Sequence, residues 1–360
     1  MEELPRRRVV VPLVRRRRRR LVVAFRRRRR PFLRALSHRP ALLARQRRSS
    51  GTRRRAQAGG PRPARGRQRR MIGGILRTLR PRQWVKNLFV FAPVVFSKDL
   101  GDPERMLASV AAALIFCLLS GSVYAINDVL DAEKDRVHPV KRNRPVASGA
   151  VPPRVAAAVA VGLIAVSVGA AAVLGVGFAA AASAYLLLNL AYSAALKEAA
   201  FVDVACIATG FVLRVLAGSL AAHVRPSIWL LACTFLLALF LALGKRLHEL
   251  AASGDHAAER RPVLRRYRPE TLRRLMAAAG IATAGAYLAY TVAPHTREFF
   301  GTWMLVLTAP FPAVGLLRFA GLVDRSGGGE SPTDAMLRDA PFVLNVALWG
   351  AAVLAILYVW

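Results

Sequence analysis

A polar helix end follows an apolar run at Ala125-Ile126-Asn127-Asp128-Val129-Leu130-Asp131-Ala132-Glu133-Lys134-Asp135, and a cationic stretch continues it through Arg136-Val137-His138-Pro139-Val140-Lys141-Arg142-Asn143-Arg144-Pro145. At 100° per residue, Asn127, Asp131 and Asp135 drift by only about 40° per step, and Asp128 falls within the same arc of roughly 100°. Four oxygen-bearing side chains therefore share one helix face, at the end of an apolar segment that covers residues 106–126.

These acidic side chains predict a metal site. Carboxylates that crowd one helix face repel one another unless a cation lies among them. Mg²⁺ prefers a few carboxylates together with water and substrate phosphate oxygens. We therefore predict that Asp128, Asp131 and Asp135 bind Mg²⁺, with Asn127 assisting. The alternative is a solvated helix end whose acids pair with nearby lysine and arginine residues, but ionisable residues this close to a membrane segment are usually functional.

The charge of the chain is concentrated at its start. The 360 residues are 54% hydrophobic and carry a formal net charge of +35, yet residues 1–70 hold 27 of the 55 Lys+Arg and only two acids. We predict a disordered extension over 1–70, or a start assigned too far upstream of Met71, and a catalytic domain over 71–360. A membrane-surface arm is the alternative, and no nucleic-acid partner is expected. The three cysteines lie in apolar runs and predict no disulfide framework.

Nine apolar runs after residue 71 approach the roughly 20 residues that cross a bilayer. They cover residues 79–98, 106–127, 153–176, 178–196, 200–222, 227–247, 269–293, 301–322 and 341–360. Residues 128–154 carry six Lys/Arg and residues 245–274 carry nine, whereas the alternate connections carry few. Because cations collect in cytoplasmic loops, we expect a multi-pass plasma-membrane protein with a cytoplasmic N-terminus and both large polar loops facing the cytoplasm.

The acidic motif also points to a known family. Asparagine and aspartates at this spacing after an apolar helix, followed by the cationic stretch, resemble the first aspartate-rich motif of the UbiA-type intramembrane prenyltransferases. The resemblance covers residues 71–360. It implies an all-α integral membrane protein, a UbiA-type bundle of nine transmembrane helices. It also implies a diphosphate held through Mg²⁺ in a cavity that opens to the cytoplasm and to lipid.

Further stretches resemble one branch of that family, the decaprenyl-phosphate phosphoribosyltransferases. They are Leu79-Arg80-Pro81-Arg82-Gln83-Trp84-Val85-Lys86-Asn87, Tyr192-Ser193-Ala194-Ala195-Leu196-Lys197 and Arg214-Val215-Leu216-Ala217-Gly218. Where aromatic prenyltransferases carry a second aspartate-rich motif, this chain has Gly244-Lys245-Arg246-Leu247-His248-Glu249-Leu250. Two cations and one glutamate thus replace a mostly anionic site.

The cations suit the substrates of that branch. Phosphoribosyl diphosphate carries a diphosphate and a separate 5-phosphate, and the lipid acceptor adds a third anion, so more Lys and Arg are needed to neutralise them. The predicted substrate-binding residues are Arg82, Lys86, Asn87, Lys141, Arg144, Tyr192, Lys197, Arg214, Lys245, Arg246 and Glu249. Lys245 with Glu249 as an ordinary helix pair, and Arg82 with Lys86 as interfacial anchors, remain alternatives.

Arg214 lies within a predicted membrane helix. Asp203, eleven residues earlier, points within about 20° of the same helix face. Opposite charges on one face of a membrane helix indicate a polar cavity. We therefore expect Asp203 and Arg214 to line one cavity inside the bundle.

The resemblance implies Mg²⁺-dependent transfer of a 5-phosphoribosyl group from phosphoribosyl diphosphate to decaprenyl (polyprenyl) phosphate, with release of diphosphate, for arabinan and arabinogalactan cell-wall precursors. One alternative is an aromatic prenyltransferase of the same fold with a prenyl diphosphate donor. Another is a lipid-phosphate transporter, which predicts polar residues on both sides of the membrane, whereas the outer connections here are nearly bare. Helix faces rich in small residues also allow a homo-oligomer.

Overall fold

The structure, a computed structural model, describes residues 64–138, 140–253, 262–325 and 332–359, except the side chains of 64–70, 253, 262 and 333. Every regular element in these ranges is a helix, which confirms the predicted all-α class. Residues 1–63 of the predicted N-terminal extension lie outside the described residues. Its last seven residues belong to the first helix, so the expected boundary at residue 70 falls within a helix.

The elements follow one another in a simple order. The α-helices are α1 (Ala64–Thr78), α2 (Ala92–Phe96), α3 (Pro103–Leu130), α4 (Ala132–Val137), α5 (Pro153–Leu174), α6 (Val176–Ala194), α7 (Val202–Ala221), α8 (Ile228–Ser253), α9 (Pro269–Val292), α10 (Pro294–Phe300), α11 (Pro310–Arg325), α12 (Pro332–Arg338) and α13 (Ala340–Tyr358). The 3₁₀ helices are Pro81–Phe91, Lys141–Asn143, Leu196–Glu198, Pro262–Arg266 and Met304–Thr308.

Eight segments in the described ranges are long and apolar enough to cross a membrane: α3, α5, α6, α7, α8, α9, α13, and α11 together with the Met304–Thr308 3₁₀ helix before it. They coincide with eight of the nine predicted segments. The remaining one, 79–98, consists of the Pro81–Phe91 3₁₀ helix and α2, of 11 and 5 residues. Because a 3₁₀ helix rises about 2.0 Å per residue, this pair reaches about 30 Å, the thickness of the hydrocarbon core. The count of nine therefore stays a prediction.

Proline and one acidic cap decide where several of these helices begin. Pro103, Pro153 and Pro269 each stand at the start of a spanning helix, where the missing amide proton is of no consequence and the fixed φ suits the helix. The Asp102 side chain accepts hydrogen bonds from the first two free amides of α3 at 3.0 and 3.2 Å. The sequence thus defines these starts locally, before any packing.

Two apolar cores lie on either side of α7. The first joins α3, α5, α6 and α7 around Phe116 and Phe178, whose rings meet edge to face at 6.0 Å. The second joins α7, α8, α9 and α11 around Phe240 and Phe319, at 5.4 Å. Because α7 contributes to both cores, its polar side chains can face either one. This position lets α7 supply Asp203 and Arg214 to two different polar clusters.

A close helix contact holds the Pro81–Phe91 helix against α7. A Cβ added at Gly218 would lie 1.9 Å from the carbonyl oxygen of Val90, so only glycine allows this approach. Asn87 and Val90 lie on one face of a helix with three residues per turn, and Arg214 is one turn before Gly218 on α7. The same contact therefore brings Asn87 next to Arg214.

The outward side of α5 and the start of α6 are apolar. Val161, Val166, Val173 and Val176, at the outside of α5 and at the start of α6, are all more than half exposed. Exposed valines along spanning helices suit contact with lipid, where burying one apolar side chain against another gains little. The architecture agrees with the predicted multi-pass membrane protein.

Candidate functional site

The predicted acidic motif lies where α3 ends and α4 begins, and Asp131 is the residue between the two helices. The amides of Asp131 and Asp135 still donate to carbonyls four residues earlier, at 2.9 and 2.8 Å. The helical spacing of the aspartates therefore continues across the junction. Asp128 and Asp135 are 1% and 3% exposed. Asp131 is more open than either.

Two arginines neutralise the buried aspartates. Arg80 Nη2 donates to Asp128 Oδ1 at 2.6 Å, and its guanidinium carbon lies 4.9 Å from the ring centroid of Tyr124. Arg144 Nη1 lies 2.7 Å from Asp135 Oδ2 and 3.4 Å from Asp128 Oδ1. One guanidinium nitrogen thus bridges two carboxylates. We call these five charged residues, Arg80, Asp128, Asp131, Asp135 and Arg144, the aspartate centre.

Arg80 reaches Asp128 from a sharp turn in the chain. Its backbone is left-handed, with φ 52° and ψ 62°, immediately before Pro81 opens the 3₁₀ helix. A side-chain-bearing residue in this region costs about 1–2 kcal/mol, and such strain tends to occur at functional sites. The charge-assisted bond to Asp128 offsets that strain.

The other predicted residues of this region lie around the aspartate centre. Lys197 Nζ, in the 3₁₀ helix between α6 and α7, lies 3.6 Å from Asp131 Oδ1. Asn127 is half-buried on the last turn of α3, and Lys141 is half-buried after α4. Arg82 is exposed, and within the described residues it forms no ion pair. The structure therefore brings Arg144 and Lys197 to the aspartates, whereas Arg82 lies in an exposed position.

The carboxylates do not converge on one point. In the described part of the chain, no three His, Cys, Asp or Glu side chains are arranged to hold a metal ion. Cationic side chains lie beside each aspartate instead. Carboxylate oxygens are nevertheless the donors that Mg²⁺ prefers, and Arg144 shows that a cation fits between Asp128 and Asp135. The oxygen donors of the aspartate centre therefore suit Mg²⁺, and the Mg²⁺ site stays a prediction.

A second polar cluster, which we call the Arg214 centre, lies inside the bundle. Arg214, on α7, is 6% exposed. Its Nε donates to Asn87 Oδ1 at 2.9 Å, Nη1 to the Gly210 carbonyl at 2.9 Å, and Nη2 to the Tyr185 hydroxyl at 2.8 Å. The guanidinium carbon lies 4.6 Å from the Tyr185 ring centroid and 5.2 Å from that of Phe211. All of its hydrogen-bond partners are neutral.

The Pro81–Phe91 helix contributes two residues to the Arg214 centre. Asn87 is buried, and its Nδ2 points at Cys117 Sγ and Ser120 Oγ on α3, at 3.2 and 3.3 Å. Its amide orientation is therefore fixed, with the oxygen toward Arg214. Lys86 precedes it and is half-buried. The Arg214 centre thus joins α3, α6, α7 and the 3₁₀ helix.

A third cluster, the Arg246 centre, has the opposite character. Arg246, on α8, is 1% exposed. Its Nε donates to Asp203 Oδ2 at 2.6 Å, Nη1 to Glu249 Oε2 at 2.5 Å, and Nη2 to the Tyr192 hydroxyl at 3.3 Å. Lys245 is half-buried beside it. Carboxylates therefore neutralise Arg246 within the protein.

Tyr267 completes the Arg246 centre from the segment before α9. Its hydroxyl donates to Asp203 Oδ1 and accepts from the Phe201 amide at 2.8 Å. The aromatic rings of Phe201 and Tyr267 meet edge to face, with their centroids 5.1 Å apart. Burial raises the pKa of Tyr267, and the hydrogen bond to Asp203 raises it further, so the hydroxyl keeps its proton and remains a donor at neutral pH.

Comparison with known proteins identifies the family. Residues 88–337 match the model described as the UbiA prenyltransferase family.
The chain belongs to the UbiA prenyltransferase family.
Two relatives are named decaprenyl-phosphate phosphoribosyltransferase. The one from Corynebacterium glutamicum is 34% identical over 295 residues, which cover 80% of this chain and 88% of the relative. The one from Mycobacterium tuberculosis is 35% identical over 288 residues, which cover 79% and 94%. The predicted resemblance is confirmed, and the chain is a transferase.

Solved structures of UbiA proteins share the fold. A UbiA homolog from Archaeoglobus fulgidus, bound to DMAPP and Mg²⁺, aligns with a TM-score of 0.61 at 21% identity, over 79% of this chain and 99% of that one. A UbiA homolog from Aeropyrum pernix K1 aligns with a TM-score of 0.56 at 17% identity, over 77% and 98%. These likenesses confirm a UbiA-type helical bundle.

One expectation for this UbiA-family chain needs correction. Asp203 and Arg214 were expected to line one cavity, but Asp203 binds Arg246 and Tyr267, whereas Arg214 binds Asn87. The eleven residues between them correspond to about 16 Å along a helix, so a shared face does not bring the two charges together. They belong to two separate centres.

The sequence prediction also missed three members of these centres in the UbiA fold: Arg80, Tyr185 and Tyr267. Arg80 and Arg82 flank Pro81, and nothing in the pattern distinguishes them. The backbone turn at Arg80 decides which one reaches the aspartates. Tyr185 stands in an apolar run that reads as core, and Tyr267 in a basic loop. Their roles depend on tertiary contacts that the sequence does not reveal.

Proposed function

We propose that the chain transfers the 5-phosphoribosyl group of phosphoribosyl diphosphate to a polyprenyl phosphate such as decaprenyl phosphate, and releases diphosphate. The observation that carries the proposal is the interleaving of acids with cations: Arg80, Arg144 and Lys197 lie within 3.6 Å of the three aspartates. A donor with a diphosphate and a further phosphate calls for such a supply of cations. The names of the two relatives support the same reaction.

The aspartate centre would hold the diphosphate. Asp128, Asp131 and Asp135 would bind Mg²⁺, and Asn127 would assist; the metal, when bound, supplies positive charge to the diphosphate oxygens. Arg80 and Arg144 then donate to phosphate oxygens with the groups that now bind Asp128 and Asp135, and arginine suits such forked contacts. Lys197 adds a third cation at the more open aspartate.

In the transfer step, an oxygen of the lipid phosphate forms a bond to C1 of the ribose while the bond from C1 to the diphosphate breaks. The diphosphate leaves with the electron pair, and the cations of the aspartate centre neutralise the charge that develops on it. Carboxylates nearby stabilise the positive character of C1. The lipid phosphate is already an anion at neutral pH, so no general base is needed. Catalysis then consists of positioning and leaving-group electrostatics.

The membrane context is part of the proposal. Cations collect near the aspartate centre, at Lys134, Arg136, Lys141 and Arg142, so we place this end toward the cytoplasm and the chain in the plasma membrane. A water-soluble donor would enter from that side, and the lipid would enter from the bilayer. The product would serve arabinan and arabinogalactan cell-wall synthesis. Self-association through faces rich in small residues is also proposed.

The direct test gives the purified full chain two labelled donors in parallel, phosphoribosyl diphosphate and a prenyl diphosphate, each with decaprenyl phosphate, an aromatic acceptor and Mg²⁺. We expect label to enter the lipid phosphate only from the phosphoribosyl donor. Transfer from the prenyl donor to an aromatic acceptor would instead establish the alternative prenyltransferase. If neither label is transferred, the proposal is wrong.

The metal role has its own test. Asp131→Asn keeps the size of the side chain and removes its charge, so we expect a lower rate and a higher Mg²⁺ requirement, each by roughly tenfold or more. Glu298→Gln, at an exposed position in α10, is the matched control and should behave as the unaltered protein. An unchanged Mg²⁺ titration in Asp131→Asn would remove Asp131 from the metal site.

A further inference from the structure

Arg214 carries a charge that the described residues do not neutralise. It is buried, and its partners are an amide oxygen, a backbone carbonyl and a hydroxyl. Three of its five N–H donors are used in these contacts, so two remain. A buried charge without a counter-charge is costly, and in a membrane helix it marks a functional position.

A second cation lies beside it. Lys86 is half-buried and directly precedes Asn87, whose side chain accepts a hydrogen bond from Arg214, so it stands next to the Arg214 centre on the 3₁₀ helix. The charges of Arg214 and of Arg80 both act on it. Within the described ranges, Lys86 forms no hydrogen bond, and the acid whose charge reaches it, Asp334 of α12, is exposed. Two cations placed together repel each other unless an anion lies near both.

The Arg214 centre is separate from the aspartate centre. Asn87 binds Ser120 on α3, and Arg80 binds Asp128 on the same helix. Ser120 and Asp128 are eight residues apart on α3, which corresponds to about 12 Å along an α-helix. Arg80 and Asn87 are seven residues apart, which corresponds to about 14 Å along a 3₁₀ helix. A diphosphate, two phosphorus atoms joined by one oxygen, is shorter than this separation. The backbone positions of the two centres therefore give each its own place for an anion, with Lys86 within electrostatic reach of both.

We propose that Lys86, Asn87, Arg214 and Tyr185 form a second anion subsite that binds a phosphate monoester. This inference rests on the proposed function, in which the donor carries a 5-phosphate and the acceptor carries a lipid phosphate. Both are phosphate monoesters. The aromatic pair Phe89 and Phe211, whose rings meet edge to face at 5.0 Å, borders the subsite and favours the lipid.

The test compares Lys86→Gln, Arg214→Gln and Arg214→Lys in the full chain. We expect each Gln variant to raise the KM for one phosphate monoester substrate by roughly ten- to a hundredfold, because a charge-assisted contact to phosphate is lost, and Arg214→Lys to retain part of the affinity. A higher KM for decaprenyl phosphate alone assigns the lipid. A higher KM for phosphoribosyl diphosphate alone, with an unchanged Mg²⁺ requirement, assigns the 5-phosphate. Arg297→Gln, at an exposed position, is the control.

Binding without turnover separates this inference from the proposed reaction. Decaprenyl phosphate and ribose 5-phosphate are each tested for thermal stabilisation of the unaltered protein and of Lys86→Gln, which removes no hydrogen bond seen in the described residues. Stabilisation by one of them that Lys86→Gln weakens supports the subsite, even if no phosphoribosyl transfer is found. Unchanged binding and unchanged KM values in folded Lys86→Gln and Arg214→Gln overturn it, even if transfer proceeds.

Discussion

Arg214 and Arg246 lie on neighbouring helices, α7 and α8, and both are almost completely buried, at 6% and 1% exposure. Their surroundings differ in kind. Arg246 donates to the carboxylates of Asp203 and Glu249, whereas Arg214 donates to neutral oxygens only. Both arginines donate hydrogen bonds from all three side-chain nitrogens, so they differ in the charge of their partners and not in the number of hydrogen bonds.

This difference assigns a structural role to Arg246 and a binding role to Arg214. A buried ion pair keeps its charge balance whether or not a ligand is present, so the Arg246 centre belongs to the permanent architecture that joins α6, α7 and α8. A buried cation with neutral partners reaches charge balance only when an anion arrives. The prediction that Arg246 and Glu249 bind substrate therefore finds less support in the geometry than the prediction for Arg214 and Lys86.

The largest expected effect is on stability. Arg246→Met leaves Asp203 without its cation in a fully buried position, so we expect a loss of about 3–5 kcal/mol in the free energy of unfolding. Arg214→Met leaves no carboxylate without a partner, so its loss should be clearly smaller. Denaturant unfolding of both variants in the same detergent provides the measurement.

The control for this comparison is the double variant Arg246→Met with Asp203→Asn. Removing both charges of the pair should recover part of the loss, because the largest cost of the single variant is the buried carboxylate. Equal destabilisation by Arg246→Met and Arg214→Met would contradict the distinction between the two centres.

The contrast between these arginines also shows what the sequence can and cannot reveal. The apolar runs predicted nine spanning segments, and eight of them coincide with described helices that are long and apolar enough to cross a membrane. The spacing of Asp128, Asp131 and Asp135 survives in the structure because it depends only on local helix geometry. Helical spacing put Asp203 and Arg214 on one face, but the expectation of a shared cavity did not take account of the roughly 16 Å between them along the helix. Their different partners depend on tertiary contacts that the spacing does not reveal. A periodic pattern gives the direction of a side chain, not its partner.

The next effect concerns how the Arg214 centre is built. Gly218→Ala would place a methyl group 1.9 Å from the Val90 carbonyl oxygen, so the Pro81–Phe91 helix must shift away from α7. We expect a loss of about 1–3 kcal/mol in stability and a fall in transfer activity, because Asn87 moves away from Arg214 with that helix.

Gly162→Ala on α5 is the matched control, since nothing lies within 4 Å of its added Cβ. It should be neutral or slightly stabilising, because alanine favours the helix over glycine. A fully active and stable Gly218→Ala protein would show that the close approach of the two helices is not needed. Unfolding and KM measurements on the same preparations distinguish these results.

The smallest effect comes from two tyrosines of α6 that make corresponding contacts. The Tyr185 hydroxyl accepts from Arg214 Nη2 at 2.8 Å, and the Tyr192 hydroxyl accepts from Arg246 Nη2 at 3.3 Å. Phenylalanine at 185 keeps the ring beside Arg214 and removes only the hydroxyl, so we expect a loss of about 0.5–1.5 kcal/mol. At 192 the contact is longer, and the carboxylates already satisfy Arg246, so the loss should be smaller.

The same pair also tests binding. If an anion occupies the Arg214 centre, Tyr185→Phe should raise the KM of the phosphate monoester that binds there, because the guanidinium is then less firmly positioned. Tyr192→Phe should leave that KM unchanged, since its hydroxyl contacts an arginine that carboxylates already hold. A larger KM effect at 192 than at 185 would place the substrate phosphate at Arg246, and the roles of the two centres would have to be exchanged.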